Sequence, residues 1–165
     1  MTISNSASAT ALQTRERHVR ENMALMQRYF ELLFSKELDS MLEIIDDNIE
    51  WFIVATGDVI RGKDQFAALA KNHWGASPDR SKKLINLFAS EDYACMEYTS
   101  GGTLTGRVDF PSIQIPPSGL HYELQVCFVF HIVDGKIDRV HEYFDMETVK
   151  RITAFAANAA ASPSS

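Results

Sequence analysis

The segment HYELQVCFVFHIVDGKIDRVHEYFD, residues 121–145, constrains the fold of this chain more than any other stretch. Two runs rich in β-branched and aromatic residues flank Asp134-Gly135, a pair that accepts positive φ and closes hairpins. Register decides which side chains share a face, because a slip of one residue turns a whole strand over. A two-residue loop would set Arg139 and Asp145 among Leu124, Val126, Phe128 and Phe130, an implausible mixture. A three-residue loop, with Gly135 left-handed in a bulge, instead aligns Leu124, Val126, Phe128, Phe130 and Ile132 with Val140 and Phe144. The second arrangement gives one apolar face and is the expected register. Glu142 is the polar residue on that face.

A carboxyl group on an apolar face has two possible fates. It sits at the sheet rim in water or pairs with a base such as Arg107, Arg139 or a His and is inert, or it loses water and its pKa rises towards neutrality. In the second state it serves as a general acid or base, able to take a proton from carbon beside a carbonyl or to return one to an oxyanion. The pattern alone leaves both open.

Upstream of the hairpin the apolar spacing is helical. Val19, Met23, Met26, Phe30 and Leu33 recur at intervals of three and four and predict an amphipathic helix over 15–34. A short helix follows, with Asp39 or Ser40 as N-cap. Residues 49–54, IEWFIV, read as a strand, and a third helix spans 64–74 before Gly75 and Pro78 end it. Further strands are expected at 82–89, 92–100, 102–109, 121–133 and 136–144, then a helical turn or two over 146–155. Helices first and a curved, mixed or antiparallel sheet second predict an α+β fold, with the N-terminal helices on the concave face enclosing a cavity. The stretches 1–14 and 156–165 are small and polar, and are expected to be frayed tails around a single domain at 15–155.

A chain of 165 residues, 45% hydrophobic, suffices for one filled core. The net charge of -6 comes without a Lys/Arg block, so neither nucleic acid nor a membrane is an expected partner. No apolar run approaches a membrane span and the first residues do not read as an export signal. Cys95 and Cys127 belong to no ligand pattern and read as reduced thiols of a cytoplasmic protein. No phosphate loop or dinucleotide fingerprint is found, and neither a metal nor another cofactor is expected.

The order helices-then-sheet, HW followed by SPD at 73–79, GGTLTG at 101–106, IPPSG at 115–119 and VDGKI with HEYFD at 133–145 resemble the SnoaL-like polyketide cyclases of the nuclear-transport-factor-2-like (ketosteroid-isomerase-like) superfamily. The resemblance covers about 15–152. It implies a cone-shaped domain with a ligand cavity between sheet and helices. In the cyclases an acidic residue on the last strand, three before the closing Asp, is the general acid/base of an intramolecular ring closure; the matching residue is Glu142. The related phenazine-biosynthesis A/B proteins also look similar there and place a Glu at that position. The family's GTHxG is GTLTG in this chain, so Leu104 stands where the family has His. The connection GRVDFPSIQIPPSG is also longer than in the cyclases.

The resemblance implies a cofactor-independent enzyme that cyclises, isomerises or otherwise moves a proton on a small, largely apolar cyclic or polyketide-like molecule. A non-catalytic binding or accessory protein using the same cavity is the rival. The expected site comprises Glu142 and His73 as catalytic groups. Trp51, Trp74, Tyr29, Tyr98, Val126, Phe128, Phe130, Val140 and Phe144 are the expected walls for the apolar or aromatic ligand. Trp51 offers a ring for stacking and the two tyrosines offer hydroxyl donors. Asp145, three residues before Thr148, reads as an N-cap. His121, His131 and His141 have the parity opposite to Glu142, so they face outwards with Cys127, Val129 and Tyr143. In this superfamily that face pairs with a second copy, which implies a homodimer.

Overall fold

The computed structural model describes residues 3–152, with side chains from residue 9. The expected tail at 156–165 and the last residues of the final helical segment lie outside the described residues. Among the described residues, helices α1 (Ile3–Ser35), α2 (Leu38–Glu43) and α3 (Gly62–Ala76) and a helical segment at 146–152 accompany eight strands. These are β1 (Ile45–Ile53), β2 (Asp58–Arg61), β3 (Ser81–Ala89), β4 (Tyr93–Thr103), β5 (Val108–Asp109), β6 (Gln114–Ile115), β7 (His121–Val133) and β8 (Lys136–Phe144). Six strands form a curved sheet in the order β2-β1-β8-β7-β4-β3, while β5 and β6 form a separate pair. Only β1 and β8 run parallel in it; every other pairing is antiparallel. The α+β class expected from the sequence is the observed one.

The apolar stripe of α1 lands on the concave face, where Met26 and Tyr29 are fully buried. The helix runs back to Ile3, past the expected start at Arg15 and through the stretch expected to fray. Leu12 is 59% exposed, so these first turns rest on local helix propensity and contacts such as Thr14 Oγ1 donating to the Thr10 carbonyl at 3.0 Å. Beyond β8, Asp145 accepts the backbone N–H of Glu147 at 2.9 Å and of Thr148 at 3.3 Å, capping helical turns over 146–152 as expected.

The β7–β8 hairpin has the expected register for a different local reason. Val126 faces Phe144, Phe128 faces Glu142 and Phe130 faces Val140. The turn is not a three-residue loop: Val133 pairs with Lys136, and Asp134 and Gly135 both take positive φ, 50° and 73°. The parity change comes later, because His131 pairs with Arg139 and Ile132 with Ile137, which leaves Asp138 as the extra residue of a bulge. Asp138 then turns its carboxylate to His131 Nδ1, 2.7 Å away, on the outer face.

A second correction concerns 92–109. The expected break near residue 101 is absent, since β4 continues through Gly101-Gly102 to Thr103, and only Val108–Asp109 remains of the expected strand at 102–109. Glycines permit this close approach. A Cβ on Gly102 would lie 3.3 Å from Ser77 Cβ and 3.4 Å from Arg80 Cα, and one on Gly106 would lie 2.9 Å from Ala76 Cα. The segment leaving α3 is thereby laid directly on β4.

Candidate functional site

Glu142 enters the concave side from β8, the second strand in from the β2 edge. In the parallel β1–β8 pair, Trp51 lies opposite Val140 and Ile53 opposite Glu142, so the Trp51 and Glu142 side chains share the inner face. The indole Nε1–H of Trp51 donates to Glu142 Oε2 at 2.7 Å, a buried bond. Glu142 is 9% exposed and Trp51 4%. Burial raises the Glu142 carboxyl to about 7, against the opposing pull of the Trp51 bond and the positive charge of Arg80. Of the two fates open to this group, the desolvated one is realised: no base lies within ion-pair distance among the described residues.

Two adjoining cavities meet at Glu142. The outer one, about 110 Å³, is walled mainly by Leu104, Phe110, Val126, Phe144 and Val149, with Tyr98, His73, Ser77, Ser100 and Arg80 among its polar lining. The inner one, about 50 Å³, lies against Tyr29, Trp51, Phe66, Trp74 and Phe128. Glu142, His73, Arg80 and Tyr98 border both. The apolar walls and few polar groups are the usual make-up of a small-molecule site.

The structure brings most of the expected residues together. Trp51, Trp74, Tyr29, Tyr98, Val126, Phe128 and Phe144 all border one or other cavity. Trp74 is additionally tied down, its Nε1–H donating to the Leu33 carbonyl at 3.0 Å and so joining α3 to α1. Phe130 and Val140 are corrections. Both are fully buried and border neither cavity; Phe130 packs edge-on against Tyr29 with ring centroids 5.1 Å apart. They share Glu142's face but lie nearer the turn, where α1 fills the space.

His73, near the end of α3, borders both cavities but does not bond to Glu142, whose hydrogen-bond partner is Trp51. Burial and the Arg80 charge push the His73 imidazole down to about 3, so it is neutral at physiological pH. Its Nε2 is buried without a partner, and its ring meets Phe110 edge-on at 5.1 Å. Tyr98 and Tyr29 are held above the ordinary phenol range, chiefly by burial, which keeps both as neutral hydroxyls.

The residue that sequence reasoning missed is Arg80. It follows the turn after α3, and two clamps fix it. The Asp79 carboxylate accepts the Thr103 N–H at 2.8 Å and the Thr103 hydroxyl at 2.7 Å, and the Ala76 carbonyl accepts the N–H groups of Thr105 and Gly106, each at 2.9 Å. Arg80 Nη2 then donates to Ser100 Oγ at 3.2 Å, and the guanidinium lies over the Phe34 ring, 5.2 Å from its centroid. The available signal was the Gly101-Gly102 pair inside a strand, which marks a close backbone approach.

No group of three or more His, Cys, Asp or Glu side chains suited to a metal ion occurs among the described residues. The outward histidines are dispersed: His131 meets Asp138, and His141 packs on Phe52. Among those residues, no helix is long and apolar enough to cross a membrane.

A model of the SnoaL-like domain matches residues 26–140. The chain belongs to the SnoaL-like family. No curated protein sequence matches it significantly. Among solved structures, a protein assigned as a SnoaL-like polyketide cyclase from Jannaschia sp. CCS1 is similar with a TM-score of 0.72 at 17% identity, over 88% of this chain and 95% of that one. An epoxide hydrolase of the LEH-like kind from M. tuberculosis gives 0.63 at 20% identity, over 88% and 98%. A nuclear-transport-factor-2-like protein from Burkholderia xenovorans LB400 gives 0.64 at 16% identity, over 82% and 97%. At these identities the likeness is one of fold. This SnoaL-like domain shares that fold with proteins assigned to several different reactions.

Proposed function

We propose that this SnoaL-like protein is a cofactor-independent acid/base enzyme acting on a small, largely apolar cyclic or polyketide-like molecule, with Glu142 as the group that carries the proton. The observation that supports this most is the state of Glu142: buried on the wall of an apolar cavity, raised to about 7, and held in place by a single indole donor. Near neutral pH both its forms are populated, which suits a group that must accept and return a proton in one cycle. In the reaction proposed, the carboxylate takes a proton from carbon beside a substrate carbonyl, and the negative charge moves to the carbonyl oxygen. The carbanion equivalent then attacks a second carbonyl of the same molecule to close a ring, or is reprotonated at another carbon to give an isomer. In either case the Glu142 proton returns to product and the carboxylate is restored. Tyr98 and neutral His73 supply uncharged polar groups at the same cavity. Leu104 and Phe110, both buried, add apolar wall to it.

The test is Glu142→Gln, which keeps shape and removes the proton carrier. Turnover of a true substrate should fall by ~10²- to 10⁴-fold. Unchanged turnover would overturn the assignment, and a modest change in affinity with no chemical conversion of any bound ligand would identify a binding protein instead. The proposed setting is the cytoplasm, supported by the two unbonded thiols Cys95 and Cys127, whose sulfurs lie 3.6 Å apart. We propose a homodimer through the outer sheet face, supported by the 41% exposure of Tyr143 there. A monomeric mass in solution would refute it.

A further inference from the structure

Among the described residues, buried side-chain polar atoms without a hydrogen-bond partner comprise Tyr29 Oη, His73 Nε2, Ser77 Oγ, Arg80 Nε and Asp109 Oδ1. The last is covered by the Arg107 guanidinium at 2.6 Å. The other four all belong to residues that border the two cavities meeting at Glu142. Buried polar groups in folded proteins are nearly always paired, so a cluster left unpaired around one cavity calls for a cause.

The charge balance narrows it. The Arg80 side chain makes one hydrogen bond, to the neutral Ser100 hydroxyl, and no carboxylate of the described residues lies within ion-pair distance of it. Every other arginine with an ion pair in this structure makes it at the surface, as Arg61 does with Glu50 and Arg107 with Asp109. Arg80 is partly buried and its Nε has no partner, so an anion placed in the cavity would gain a charged hydrogen-bonding group there.

We propose that the substrate carries a carboxylate on its apolar body, and that Arg80, with the hydroxyls of Ser77 and Ser100 beside it, is the subsite that holds this group. The guanidinium is a planar fork matched to two carboxylate oxygens, and its seat on Phe34 and between the Asp79 and Ala76 clamps fixes its direction before ligand arrives. The substrate is then an organic acid oriented with its charged end at Arg80 and its reacting carbon at Glu142. This rests on the acid/base reading of the cavity for the identity of the reaction, but the binding claim stands apart from it.

Arg80 is a binding residue in this scheme, and its test is an affinity ratio. The protein has two tryptophans and both border the inner cavity, so the indole N–H signal of Trp51 in NMR reports occupancy, while retained dispersion of the backbone amide signals of the outer sheet face reports the fold. Phenylacetate and phenylacetamide, titrated at neutral pH, match in shape and differ in charge. The wild type should bind the acid about tenfold more tightly or better. Arg80→Gln should bring the ratio to about one, Arg80→Lys should keep part of it, and Glu142→Gln should keep or increase it, since it removes a negative charge from the same cavity. Equal binding of the pair by the wild type, no response of Trp51 to either probe, or a preference that survives Arg80→Gln overturns the proposal. Should Arg80→Gln not fold, the wild-type ratio decides. Failure of the acid/base reading has a separate signature, undiminished turnover in Glu142→Gln, and it is read independently of the loss of acid preference in Arg80→Gln.

Discussion

The two faces of the β7–β8 hairpin are built from alternate residues of the same strands, yet they treat polar groups in opposite ways. On the outer face polarity is paired: His131 meets Asp138 at 2.7 Å, and the two cysteine sulfurs lie together at 3.6 Å. On the inner face Glu142 receives one indole N–H and has no counter-ion within reach, and the His73, Ser77 and Tyr29 polar atoms have no partner. Pairing is cheap where water can help and unpaired groups are expensive where it cannot. The side of the sheet that carries the greater cost is the side on which the proposed ligand site lies, whereas the outer pairs tie the strands together.

The largest effect that could break this contrast is on stability. Glu142 is raised from 4.5 to about 7 by burial, so the folded state holds a proton there that the unfolded chain has released, and stability falls as pH rises through that interval. Glu142→Gln should remove this loss, and above pH 7 should be the more stable protein by on the order of 3 kcal/mol in denaturant unfolding. His73 acts at the other end. Its pKa is lowered from 6.5 to about 3, so stability falls as pH drops through that range, and Glu142→Gln should leave this acid limb in place.

A smaller effect sharpens the account of the inner face. Trp51→Phe retains an aromatic ring and deletes the one donor to Glu142, a bond to the charged form worth about 1.5–3 kcal/mol. The Glu142 titration should move upwards by roughly one to two pH units, visible as a shift of the neutral-pH limb of the stability profile. The smallest effect belongs to the outer face. Asp138→Asn breaks the pair with His131 and should cost less than about 1 kcal/mol, with no movement of the Glu142 titration. A comparable movement of that titration by both variants would mean that the faces are not distinct.

Much of this was legible in the sequence, and the parts that were not have physical reasons. Parity along the hairpin placed Glu142 among Val126, Phe128 and Phe144 because a strand alternates strictly, and the apolar face tolerated no other register. The device that sets the register was misplaced, since a bulge at Asp138 and a longer loop both change parity by one and the apolar pattern cannot tell them apart. Parity also gives the face without the depth. Phe130 and Val140 share the face of Glu142 yet belong to the core, because Tyr29 of α1 covers that end of the strands. Arg80 escaped because it lies in a turn with no period to aim it. Its direction comes from Asp79 bonding to Thr103, a contact between residues far apart in the chain.

The central claim is that Glu142 is a desolvated carboxylic acid on a cavity wall, and its own titration tests this most directly. With ¹³C-labelled glutamate and Glu142→Gln to assign the signal, the side-chain carboxyl resonance should titrate with a midpoint near 7. A midpoint near 4.5, the ordinary glutamate value, would mean that the group is solvated or paired and would contradict the account.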